Sequence, residues 1–78
     1  MADGKLPVVD GRRVVRALTR AGFTTDRIVG SHHVMVFAGH PARTVTVPVH
    51  SSRELKPGTL RSIIKQAGLS LEEFKALL

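Results

Sequence analysis

The chemistry open to this chain rests on four histidines, His32, His33, His40 and His50. Imidazole is the side chain whose ordinary titration spans neutrality, so it can take or give a proton at working pH. There is no cysteine, hence no thiolate nucleophile and no thiolate metal ligand. No two histidines stand four apart on a helix, and no pair of carboxylates lies beside them, so neither a metal site nor a cofactor is expected. Proton transfer remains. His32 and His33 lie in the stretch Gly30-Ser31-His32-His33-Val34, where Gly30 and Ser31 release the backbone before a short apolar strand, Val34 to Phe37. Neighbours on a strand point to opposite faces, so only one of the two can act from the open face of a sheet.

The third strand suggests which one. Val45, Val47 and Val49 alternate with Thr44, Thr46, Pro48 and His50, so the valine side is the expected core side. Grouping Val34 and Val36 with those valines leaves His33, Met35 and Phe37 on the open face and turns His32 inward. A second register stays open, in which Met35 and Phe37 are core and His33 is buried with them. The chemistry suits RNA. A 2′-hydroxyl can attack its own phosphodiester if a base takes its proton and cations steady the charge on phosphorus. His33 is the candidate, as base or as acid. DNA lacks the hydroxyl and would not be cut this way.

Charge points to the same partner class. Twelve Lys and Arg face six Asp and Glu, a formal net charge of +6, which favours polyanions. With three Phe and no Trp or Tyr, a platform for stacking unpaired bases is largely missing. At 100° per residue, Val14, Val15, Leu18 and Ala21 share one side of a first helix. Arg12, Arg13, Arg16 and Arg20 share the other, with no acid among them. Arg61 and Lys65 stand one turn apart on the polar side of a later helix. Arg12, Arg13, Arg16, Arg61 and Lys65 are the expected phosphate contacts.

These residues need a frame. Seventy-eight residues make one small domain, 1–78. No apolar run approaches the ~20 residues of a membrane span, and the start lacks a signal peptide's apolar stretch. Residues 1 to 9 read as a leader anchored by Leu6, Val8 and Val9. Asp10 caps a helix over 11–21, ended by Gly22, with Phe23 entering the core. Strands are expected over 24–29, 32–37 and 43–49, with a loop at 38–42 and Pro48 at an edge or end. Pro57 opens a second helix, and Ser70 with Glu73 forms a capping box for a short third one. The fold class is α+β. A three-stranded antiparallel sheet in the order α-β-β-β-α, with a short C-terminal helix, has its helices on one face. The double-stranded RNA-binding domain has the same order.

Three stretches carry a closer resemblance: Gly30-Ser31-His32-His33-Val34-Met35, Thr46-Val47-Pro48-Val49-His50, and Leu55-Lys56-Pro57-Gly58-Thr59-Leu60-Arg61-Ser62-Ile63-Ile64-Lys65-Gln66-Ala67-Gly68-Leu69. With Leu6-Pro7 and Ala21-Gly22-Phe23, they resemble the HicA (YcfA-like) toxin family from about Leu6 to Phe74. The resemblance implies a fold similar to double-stranded RNA-binding domains. It also implies a cytoplasmic endoribonuclease that cleaves mRNA without a metal and is held inactive by a HicB antitoxin. It assigns the catalytic histidine to the position of His33, after the turn Gly30-Ser31. Two departures are visible: apolar Ile28 and Val29 precede Gly30, and Gly39-His40-Pro41-Ala42 is rearranged. The competing readings are an RNA-binding module that does not cut and a protein-interaction domain. An antitoxin is expected to cover His33, Met35 and Phe37 and to set acidic residues near the helix arginines.

Overall fold

The computed structural model describes residues 5–78, the side chain of Pro41 excepted. The elements run α1 Gly11–Arg20, β1 Phe23–Val29, β2 His32–Phe37, β3 His40–Pro48, α2 Pro57–Gln66 and α3 Leu71–Ala76. The strands form one antiparallel sheet in the order β1-β2-β3. This is the expected α+β arrangement. The first four residues of the expected leader lie outside the described residues. Of its expected anchors, Val9 is buried and Leu6 packs on the core, but Val8 is exposed.

The helix ends follow their local chemistry. The Asp10 carboxylate accepts from the Arg13 backbone N–H at 3.0 Å, satisfying one free amide of the first turn. Gly22 takes φ +106°, the left-handed conformation that stops the helix. Ser70 Oγ accepts from Glu73 N at 3.0 Å while Glu73 accepts from Ser70 N at 2.7 Å, closing the capping box on α3. The first helix ends at Arg20, with Ala21 as its cap. The second hairpin is tighter than expected: β3 starts at His40, and only Ala38 and Gly39 turn the chain.

The core lies between the helices and one face of the sheet. Val14, Ala17 and Leu18 of α1, Leu60, Ile63 and Ile64 of α2 and Phe74 of α3 pack with Phe23, Met35, Val45 and Val47. The valine face of β3 is indeed the core face. The face expected for β2 is reversed. His33 pairs with Val47 and Met35 with Val45, and residues directly opposite in an antiparallel pair share a face. His33, Met35 and Phe37 therefore lie on the helix-covered face. Met35 is 0% exposed, and Phe37 is partly buried against Phe23 with ring centroids 5.2 Å apart. His32, Val34 and Val36 point to the outer face, so the alternative register is the one adopted. Both phases of this central strand are apolar, so alternation alone did not choose between them. A register shift between Thr25 and Arg27 leaves Asp26 unpaired in β1.

Candidate nucleic-acid site

The β1–β2 turn brings the candidate residues together. Gly30 takes φ +60° there, which a glycine adopts without strain. The Ser31 carbonyl accepts from Val49 N at 2.6 Å, which extends the β2–β3 pairing past the end of β3. This tie draws His50 to the turn, and His50 Nε2 lies 3.3 Å from Ser31 Oγ. The His50 ring stands edge-on to His32, with centroids 6.2 Å apart. Three of the four histidines thus gather at one end of the sheet. His40 stands apart on the other hairpin, beside Phe37 and Arg43.

His32 and His33 present different environments. His32 is exposed on the outer face with His50, which corrects the expectation that it looks inward. His33 is half-buried on the helix side, flanked by Ile28 and Val47 in the neighbouring strands. Its Nδ1 is buried and meets no hydrogen-bond partner among the described residues. Nε2 is then the ring nitrogen left to meet a ligand. Ile28 and Val29, beside His33 and His32, are 58% and 59% exposed.

The cations divide into two groups. The buried Gly11, first residue of α1, lies against the Pro48 carbonyl and Val49, so α1 begins at the histidine end of the sheet. Arg12 and Arg13 follow at once and are exposed, and Arg16 stands a turn further on. None of these three has a carboxylate partner among the described residues. Arg13, Arg16 and Arg20 line a shallow recess with Leu78, where Arg20 donates to the Leu77 carbonyl at 2.7 Å. Arg61 and Lys65 are exposed on α2 and line a different recess, with Leu6, Ile64, Leu69 and Leu71. That helix ends at Gln66, beside Phe37 and His40 at the far end of the sheet. α1 thus starts beside the segment that leads to His50, while Arg13 lines the recess it shares with Arg16 and Arg20, and Arg61 and Lys65 line a separate one.

Arg53 escaped the sequence reading. It follows a tight turn in which its N–H donates to the His50 carbonyl at 2.9 Å and Ser51 takes φ +53°. His50, Ser51, Ser52 and Arg53 line one open recess of about 500 Å³. The signal was the short run after His50, whose Ser-Ser-Arg suits a turn that ends in an exposed cation. The expected antitoxin surface changes as well. Met35 is core and unavailable, and most of Phe37 is taken up by packing, so neither is a free apolar anchor.

Among the described residues, no three His, Cys, Asp or Glu side chains are grouped to hold a metal ion. No described helix is long and apolar enough to cross a membrane. A family model described as HicA toxin of bacterial toxin-antitoxin matches residues 11–69. No curated protein shows a significant match to the chain.

Proposed function

The chain belongs to the HicA family of toxins from bacterial toxin–antitoxin systems, and from that membership we propose that it is an endoribonuclease. It cleaves mRNA in the cytoplasm, works without a metal, acts as a single domain over 1–78, and is neutralised by a HicB-like antitoxin.

The observation that carries this reading is the state of His33. Its inner nitrogen meets no partner among the described residues, which leaves Nε2 of a half-buried imidazole as the nitrogen that can take or give a proton. His33 Nε2 takes the proton from a 2′-hydroxyl, whose oxygen attacks the adjacent phosphorus. The 5′-oxygen leaves, giving a 2′,3′-cyclic phosphate and a 5′-hydroxyl end. Arg12 and Arg13, unpaired among the described residues and at the same end of the sheet, hold the phosphates. Arg16, Arg61 and Lys65 extend the basic surface along the RNA.

The antitoxin covers His33 from the β1 side, where Ile28 and Val29 are the exposed apolar residues nearest to it. Acidic residues of the antitoxin meet Arg12 and Arg13.

The test is induction of the wild-type and His33→Ala proteins at matched levels, with RNA cleavage followed in the purified proteins. Growth arrest and cleavage in EDTA are expected of the wild type alone. Arrest by His33→Ala would remove the catalytic assignment. RNA binding without any cleavage would favour the non-catalytic module.

A further inference from the structure

His40 takes no part in the proposed cleavage. It borders an open recess of about 560 Å³ between the β2–β3 hairpin and the end of α2, lined by Phe37, His40, Ala42, Arg43, Thr44 and Gln66. That size falls in the range of small-ligand sites. Among the described residues, no acid lines it. Phe37 stands four residues along β2 from His33, about 13 Å at strand spacing, so the recess is separate from the catalytic position. We propose that this recess is a second RNA subsite, which holds one unpaired nucleotide and selects it by its base. This inference rests on the ribonuclease reading above for its ligand, RNA, and not for any chemistry in the recess.

Three side chains supply what a nucleotide needs. His40 is exposed, and its ring centroid lies 5.7 Å from that of Phe37 with the planes 32° apart, so the imidazole is an accessible platform backed by a second ring. Unpaired bases stack on histidine as they do on Phe, Tyr and Trp, so the scarcity of those three leaves room for one stacking position. The Arg43 guanidinium carbon lies 5.6 Å from the Phe37 ring centroid. Gly68 meets it from the end of α2, where a Cβ would lie 3.2 Å from Arg43 Nη1. Arg43 is nonetheless exposed and has no carboxylate partner among the described residues. A guanidinium placed but not neutralised suits a phosphate. Gln66 Nε2 donates to Ser62 Oγ at 3.0 Å, which steadies the amide and leaves its carbonyl oxygen and second N–H for the edge of a base.

A cation at the end of α2 also suits that helix's dipole, so stability and binding must be read separately. The probes are the four ribonucleoside 5′-monophosphates and inorganic phosphate, titrated into the full chain while its amide signals are followed by NMR. Saturable shifts at His40, Arg43, Gln66 and Gly68 are expected with the nucleotides. The preferred nucleotide should bind at least about tenfold more tightly than inorganic phosphate, the lower range for stacking on one ring. His40→Ala should lose that factor at an unchanged melting temperature. Gln66→Ala should narrow the spread among the four bases, and Arg43→Gln should weaken nucleotides and phosphate alike.

Inorganic phosphate that binds as tightly as every nucleotide would overturn the proposal and leave an anion site only. So would a recess without shifts, or a His40→Ala protein that binds the nucleotides as the wild type does. An Arg43→Gln protein with a lower melting temperature and unchanged nucleotide affinity would reduce Arg43 to helix support and overturn its phosphate role. RNA cut by a protein whose recess stays silent would remove this site alone. Nucleotides seated in the recess of a protein that cuts no RNA would remove the ribonuclease reading and leave the site standing.

Discussion

His33 sets a polar ring at a half-buried position of the central strand. Its Nδ1 is buried without a partner among the described residues, in a setting of Ile28, Val47 and the core beyond. Replacing an unpaired buried polar atom with apolar volume removes its desolvation cost. His33→Leu is therefore expected to stabilise the protein by about 1 kcal/mol and raise its melting temperature by about 4–8 °C. The same substitution should abolish toxicity, which is the trade expected where a site holds a group against stability. Thermal unfolding and growth after induction, measured on the same variant, check both halves. A lower melting temperature with toxicity intact would show that His33 is a structural histidine. The pair of histidines after the Gly-Ser turn was legible in the sequence. The structure reversed the face on which His33 was expected, so the choice of His33 over His32 rests on the family resemblance. The buried nitrogen was not legible, since it depends on which face the helices cover. Nor was the Ser31–His50 contact, which joins residues 19 apart through a strand pairing.

The elements explain where face assignment succeeded and where it failed. α1 and β3 each carry one apolar and one polar side, and both packed as their patterns indicate. β2 is the central strand, with Met35 and Phe37 on one side and Val34 and Val36 on the other. Val34 is buried even on the outer face, so two apolar sides compete and only cross-strand register decides. The bulge at Asp26 was equally hidden, because one unpaired residue leaves no compositional trace. The reversal moves the expected consequence of a substitution. Phe37→Ala should cost about 2–3 kcal/mol in folding, through lost packing on Phe23 and the lost seat of Arg43, whose guanidinium carbon lies 5.6 Å from the ring centroid. Urea unfolding would read this directly, and a loss below about 0.5 kcal/mol would contradict the packing. The proposed partner surface shifts to β1, where Ile28 and Val29 are exposed. Ile28→Thr with Val29→Thr keeps β-branched residues in the strand and removes apolar contact area. Affinity for the HicB-like antitoxin should fall about tenfold, with a melting temperature near wild type. Unchanged affinity by calorimetry would place the antitoxin elsewhere.

At the scale of the whole molecule the question is whether net charge or its placement engages RNA. The described residues span 36 × 28 × 18 Å. The Debye length at physiological salt is about 8 Å, so cations on different sides act largely independently. Arg12 with Arg13, and Arg61 with Lys65, make a controlled comparison. Replacing either pair with glutamine lowers the formal charge equally, from +6 to +4 by loss of two cations. Each pair is exposed, and neither pair stands in the core. A field set by net charge would weaken RNA binding alike in both variants. Binding by local phosphate contact would not. Arg12 and Arg13 begin α1 at the histidine end of the sheet, whereas Lys65 lies toward the end marked by Gln66 and His40. Loss of the Arg12–Arg13 pair should flatten the log–log salt dependence of single-strand binding by about 1.4, about 0.7 for each phosphate contact released. It should also slow cleavage at saturating RNA, because the proposed function assigns these two cations to the reacting phosphate. Loss of Arg61 and Lys65 should reduce affinity, with cleavage at saturation near wild type, since the proposed function assigns them to RNA away from the bond being cut. Filter binding across a salt series and single-turnover cleavage separate the two effects. Equal slopes and equal cleavage rates in both variants would mean that RNA responds only to total charge. The start of α1 at the histidine end of the sheet would then have no bearing on catalysis.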